Sequence, residues 1–141
     1  MSDKKNDYYT QRNIACEDKI ESLCLELPYF CAEFFYGTGN NTSALTRLNY
    51  AYDLRIFFNY LSQIKKTSIE DMKIEILDSV TSTDIERFLN YLNHYSMNGK
   101  ELSCDEKGKK RKLSTVRALF RYFFNKNAIK SNVAAKVPTP K

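Results

Sequence analysis

The sequence contains no tryptophan and a single histidine, His94. One imidazole, with no acid or nucleophile at a suggestive spacing, supplies neither a histidine-based metal site nor a nucleophile–base pair. None of the four cysteines, Cys16, Cys24, Cys31 and Cys104, forms a Cys-x-x-Cys pair, so the clustered ligands of a zinc site are missing. The first three fall at helical offsets among apolar residues and read as small buried hydrophobes rather than a disulfide framework. No apolar run approaches the roughly 18 to 20 residues of a membrane span. Residues 1–13 are polar and lack the apolar stretch of a signal peptide. These gaps point to a cytoplasmic protein without a membrane partner. A glycine-rich phosphate loop, a Walker-type lysine and a Gly-x-Ser-x-Gly elbow are also missing. No cofactor, metal or small-molecule substrate is expected, and no residue is assigned a catalytic role.

One further absence is informative. From Lys107 to the C-terminus there is no acidic side chain. That stretch carries Lys107, Lys109, Lys110, Arg111, Lys112, Arg117, Arg121, Lys126, Lys130, Lys136 and Lys141. By contrast, Asp3, Asp7, Glu17, Asp18, Glu21, Glu26 and Glu33 outnumber Lys4, Lys5, Arg12 and Lys19 in the first 36 residues. A one-sign block repels itself and favours a nearby polyanion, although the last few residues read equally well as a solvated tail.

Apolar spacing places the elements. Ile20, Leu23, Cys24, Leu27, Cys31, Phe34 and Phe35 share one helical face within residues 11–36, where Pro28 should kink the helix or open a second, short one. Residues 37–41 (GTGNN) read as a stop and a loop. A helix over 43–63 buries Ala51, Leu54, Phe57, Phe58 and Leu61, with Tyr50 and Asp53 flanking that stripe. Residues 65–80 form a core-packed loop with room for one helical turn. Thr81 and Asp84 form a capping box for a helix carrying Ile85, Phe88, Leu89 and Leu92, which is expected to end near Asn98-Gly99. After a polar loop, a helix over 110–126 buries Leu113, Val116, Phe120, Phe123 and Phe124 beside Leu119. A short turn follows at 129–136, and two prolines then keep the chain extended. No segment shows strict period-two alternation with hairpin turns, so the expected class is all-α, a small bundle of four to five core helices.

The opposite face of the 110–126 helix is the candidate site. Lys110, Ser114, Arg117 and Arg121 lie at offsets of four, three and four and form one stripe. Lys107, Lys109, Arg111 and Lys112 crowd its N-terminus, where the helix dipole favours anions. Arg47, near the start of the 43–63 helix, and Arg55, two turns on, offer a second positive rim, with a solvated helix face an equally good reading for Arg55. A helix about 10–12 Å wide fits a major groove of about 12 Å. Duplex DNA, another polyanion and a plain solvated surface all remain open on this pattern alone. Tyr50, Tyr52, Tyr60, Tyr91, Tyr95 and Tyr122 fall within amphipathic helices and read as core or rim aromatics rather than nucleophiles.

The order of motifs resembles a known family. Thr46-x3-Tyr50-x2-Asp53-Leu54-x2-Phe57-x2-Tyr60-Leu61, Val80-Thr81-x2-Asp84-Ile85-x2-Phe88-Leu89, Lys112-Leu113-Ser114-x2-Arg117-x2-Phe120-x-Tyr122-Phe123 and Asn132-x4-Val137-Pro138-x-Pro140-Lys141 are similar, in order, to the core-binding, SAM-like domain of tyrosine recombinases of the phage-integrase type. Val133 stands where that family usually has a proline. The resemblance implies a duplex-DNA-binding core-binding domain at residues 42–137, an N-terminal helical extension at 1–41, and the start of a linker to a catalytic domain at 138–141. It also implies that strand exchange through a phosphotyrosyl intermediate belongs to that further domain, in an enzyme that assembles as a tetramer on paired sites. This chain is then expected to bind DNA and catalyse nothing. The alternative is a helical protein-interaction module with an incidental basic surface.

Overall fold

A computed structural model describes the backbone from Ser2 to Lys141 and the side chains from Asp7 onward. The charges expected at Asp3, Lys4 and Lys5 therefore lie outside the described residues. Six helices dominate: α1 (Ser2–Cys24), α2 (Cys31–Gly37), α3 (Ala44–Ile64), α4 (Glu75–Asp78), α5 (Ser82–Tyr91) and α6 (Glu106–Asn125). Short 3-10 turns occupy Ile69–Asp71 and Val133–Lys136. The all-α class holds, with one small exception: β1 (Tyr95–Met97) and β2 (Lys100–Leu102) form an antiparallel hairpin.

That hairpin corrects the expected end of the fifth helix. α5 stops at Tyr91, and Asn98-Gly99 is a two-residue turn with φ of 53° and 77°. Both turn residues sit in the left-handed region, which Asn and Gly tolerate best and which tight hairpins of this kind require. Strands of three residues are too short to show alternation, so the Asn-Gly pair reads as a helix terminator from sequence. The sixth helix also begins four residues earlier than expected, because Asp105 caps it by accepting from the Gly108 amide at 2.8 Å. Phe124, assigned to the buried face, is 41% exposed.

Pro28 does open a second short helix. The chain turns through residues 25–30, and α2 starts at Cys31. Leu23, Leu27, Phe30, Phe34 and Phe35 are all buried in the same core as α3 and α6. Phe30 meets Phe58 and Phe123 edge-on, and Phe34 meets Tyr122 in the same way. The acidic N-terminal segment thus packs onto the bundle from Cys16 onward, while the side chains of residues 7–15 are exposed. Cys16 and Cys31 are buried, and Cys24 and Cys104 are half-buried. Burial, with Cys24 nearby, pushes the Cys31 thiol well above its ordinary value.

Two polar fastenings hold α3 to α5 and α6. At its C-terminal end, Thr81 and Asp84 form the expected capping box, with reciprocal bonds of 3.0 Å. Lys65 donates to Asp84 Oδ2 (3.1 Å) and to the Ser79 carbonyl (2.8 Å), and the Tyr60 hydroxyl donates to the Asp84 carbonyl. Burial alone would raise the Asp84 carboxyl, but the Thr81 amide and Lys65 outweigh it and hold it below its ordinary value. Midway along α3, Asp53 is 2% exposed. Its Oδ1 accepts from Arg111 Nη2 at 2.9 Å and lies 3.7 Å from Lys112 Nζ, while Oδ2 accepts from the Thr115 hydroxyl at 2.8 Å. All three partners are on α6.

Two tests follow from these fastenings. Because the Asp84 carboxyl is depressed in the fold, its stabilisation is present above the unfolded carboxylate value, about 3.9, and is lost as pH falls through the folded value. Asp84→Asn should cost about 1 kcal/mol at neutral pH and give a flatter acid limb in urea titrations; an acid limb as steep as that of the parent chain contradicts the cap. Asp53→Ala strands a buried ammonium, so it should cost about 3 kcal/mol. Lys112→Met should cost less than about 1.5 kcal/mol. Equal losses in urea unfolding would show that Asp53 is not the hub.

Candidate nucleic-acid interface

The helical register of α6 sorts its cations before any contact is considered. Lys107, Ser114 and Arg121 are seven apart, as are Lys110 and Arg117, so the five residues fall on one narrow band. Lys109 instead precedes Leu113 by one turn and Val116 by two, and Lys112 precedes Val116 and Leu119 in the same way. Both therefore start on the apolar side. The structure follows this division. Lys107, Lys110, Ser114 and Arg121 are exposed, and among the described residues none of the four has a side-chain hydrogen bond or ion pair.

The other candidates are placed differently. Lys112 is buried against Asp53, so it does not present a charge outward. Lys109 folds back onto Glu106 at 3.3 Å, largely covered. Arg111 is intermediate: one nitrogen is held by Asp53, yet its side chain remains 56% exposed. Arg117 sits in the band but turns its guanidinium toward the Ala134 and Val137 carbonyls and the Thr139 hydroxyl. Arg47 corrects the expectation of a second rim. It is buried, bonded through Nη1 to the Gly39 carbonyl (3.1 Å) and to Thr42 and through Nη2 to Glu17. A charge so surrounded by acceptors ties α1, the 38–42 loop and α3 together and has little left to offer a ligand. The N-terminus of α6 is likewise not an open anion site, because Asp105 caps it and Glu106 occupies its first turn.

The band has a polar shoulder that the sequence reading missed. Between α6 and the first half of α3 lies a hollow of about 230 Å³ lined by Thr46, Asn49, Tyr50, Asp53, Arg111, Ser114 and Thr115. A second, of about 420 Å³, adjoins it at Tyr50 and is lined by residues including Thr38, Asn41, Thr42, Arg121 and Asn125. Apart from the buried Asp53, no carboxylate lines either. Hydroxyls, amides and guanidinium groups make a surface able to donate to anionic oxygens over two helices. The available signal was the polar run Asn40-Asn41-Thr42-Ser43 followed by Thr46 and Asn49, which sit one helical turn apart, off the apolar stripe.

Three tyrosines are shifted away from activation. Burial pushes Tyr95 up to about 12, helped by Cys104. Burial, then the Asp84 charge, raises Tyr60, and Tyr122 is raised by burial and by Glu33. These shifts favour the neutral phenol, the opposite of what a nucleophile needs. No three His, Cys, Asp or Glu residues group as a metal site among the described residues, and no described helix is long and apolar enough to cross a membrane.

The chain is 25% identical over 130 residues to a tyrosine recombinase XerC of Caldanaerobacter subterraneus subsp. tengcongensis, covering 83% of this chain and 35% of that protein. It is 32% identical over 90 residues to a tyrosine recombinase XerC of Natranaerobius thermophilus, covering 64% of this chain and 28% of that protein. The chain thus spans about a third of the length of the curated relatives it matches. No solved structure matches it significantly. Residues 38–127, from the loop before α3 to just past the end of α6, match the family described as phage integrase, N-terminal SAM-like domain, and the chain belongs to that family, the core-binding domain of tyrosine recombinases.

Proposed function

We propose that this chain binds duplex DNA as the non-catalytic core-binding part of a site-specific tyrosine recombinase. The observation that carries the reading is the exposed band of α6, Lys107, Lys110, Ser114 and Arg121, none of which is paired with a carboxylate among the described residues, and which is continuous with the polar start of α3. Ser114 and the lysines suit phosphate oxygens. Arg121 suits a phosphate or a guanine edge, which it meets with a planar fork. The half-exposed fork of Arg111 adds a fourth cation at the edge of the band. Arg47 and Lys112 leave the set of contacts because their charges are spent inside the fold, and Lys109 contributes only to the local field.

On this reading residues 42–137 are the DNA-binding unit, 1–41 an N-terminal extension, and 138–141 the beginning of a connection to a catalytic domain. Strand cleavage and exchange, and assembly as a tetramer on paired sites, are activities of the full-length cytoplasmic enzyme. This chain contributes grip and orientation. The rival reading, a protein-interaction module, draws on Leu25, Tyr29 and Tyr36, which are exposed near the α1–α2 turn.

A duplex titration separates the two. The chain should bind duplex with an affinity that falls with salt, each phosphate contact contributing about 0.9 to the logarithmic slope. Lys110→Ala with Arg121→Ala should reduce that slope by about 1.8 while the helical circular dichroism is retained. Arg47→Ala, by contrast, should lower the unfolding midpoint and leave the slope unchanged. Absence of any duplex binding at low salt, or an unchanged slope in the double variant, would remove the band as the interface.

A further inference from the structure

Arg117 differs from its neighbours on the band in what it holds. Its Nε donates to the Ala134 carbonyl at 3.5 Å, Nη1 to the Thr139 hydroxyl at 2.9 Å, and Nη2 to the Val137 carbonyl. These three acceptors lie in the closing segment, at and after the Val133–Lys136 turn. Ala134 and Val137 are buried. Pro138, Thr139 and Pro140 border a groove shared with Glu86, Leu89 and Asn90 of α5 and with Glu106 and Lys109 of α6. The segment therefore runs back from Arg117 toward the first turns of α6, along the seam between α5 and α6.

The composition of this segment explains why an arginine is needed. Pro138 and Pro140 have no amide to donate and hold the backbone extended, so beyond the Val137 amide, which donates to the Ala134 carbonyl, the segment has few amides with which to fasten itself. It can be held by its carbonyls and by the Thr139 hydroxyl. A guanidinium offers five donors in one plane and no acceptor, so one side chain can gather acceptors from three residues. Lysine, a point charge on a flexible stem, cannot span them together. The strap lies along the opposite border of the exposed band from the polar hollows, so it limits how far the band extends.

We propose that Arg117 is a positioning residue that straps residues 134–139 against α6 and fixes the direction of 138–141 along the α5–α6 seam, and that it does not contact the duplex. The second clause rests on the DNA-binding reading above; the first stands without it. For a domain that grips one side of a duplex, the strap would set where the following chain lies relative to the cationic band.

The test uses the whole chain with Arg117→Lys, Arg117→Met and Thr139→Val. In both Arg117 variants the Thr139 and Lys141 amides should lose order in 15N heteronuclear NOE. Tryptic release of residues 137–141 after Lys136 should accelerate on the order of tenfold, the factor expected for a lost charge-assisted hydrogen bond. Thr139→Val should show a smaller change of the same sign, and it keeps the strap testable if Arg117→Met fails to fold. Arg117→Met should retain the salt slope of duplex binding, whereas Arg121→Ala loses about 0.9. An ordered Thr139 in both Arg117 variants overturns the strap. A slope loss in Arg117→Met equal to that of Arg121→Ala overturns the claim that it avoids the duplex. A parent chain that binds no duplex overturns the DNA reading, and the order of Thr139 then decides the strap alone.

Discussion

The rotational setting of α6 about its own axis rests on one buried carboxylate. Leu113, Val116, Leu119, Phe120 and Phe123 bring the helix to the core, but apolar contact is non-directional and permits sliding and rolling. Asp53 is directional. It takes bonds from Arg111 and Thr115, one turn apart on α6, and keeps Lys112 close. Each α6 rotation that preserves those bonds also leaves Lys107, Ser114 and Arg121 facing outward. A buried ion pair of this kind adds little net stability compared with a well-packed apolar pair. Its physical use here is orientation, and that orientation is what makes a candidate interface out of a basic helix.

The same accounting explains why a count of cations overstates the surface. Of the eleven cations after residue 106, Lys112 neutralises Asp53, Lys109 pairs with Glu106, Arg117 holds the closing strap, and Arg111 gives one nitrogen to Asp53. Charge used inside the fold is not also available outside it, because a donor already bonded must be desolvated and released before it can bind a phosphate. Arg47 illustrates the extreme case: a single buried guanidinium joins α1, a loop and α3. The basic tail thus serves two ends, and geometry divides it.

Much of this was legible in the sequence, for a definite reason. The apolar stripes of α3 and α6 have the 3.6-residue period, the Thr81–Asp84 box has a fixed spacing, and Pro28 breaks a helix by covalent constraint; all three are local rules. What escaped depends on distant partners. Asp53 pairs with residues 58 to 62 positions away, and nothing near it in sequence says whether it faces water or α6. The Arg117 strap depends on a segment 17 to 22 residues later. The hairpin failed for another reason: Asn98-Gly99 suits both a helix terminus and a tight turn, and the adjoining strands are too short to decide. Lys112 and Lys109, however, were legible, since counting turns from Leu113, Val116 and Leu119 already puts them on the inward side.

The division of charge also bears on what such a domain can do alone. Lys107, Lys110 and Arg121, with part of Arg111, give three or four outward cations on the band. At about 0.9 per contact the salt dependence of so few phosphate contacts is shallow, well below that of proteins making about 6 to 10 contacts. If the band docks on a duplex as proposed, a face of this size grips loosely and reads few bases, while its hydroxyl and amide shoulder adds orientation more than affinity. That is a poor design for a stand-alone DNA-binding protein. On the proposed reading it suits one half of a clamp, in which a second DNA-binding surface linked to it would raise the effective concentration and supply the missing affinity. The free cations on α6 and the strap beside them then become parts of one arrangement: a weak, well-oriented surface whose usefulness depends on where the rest of the grip is placed.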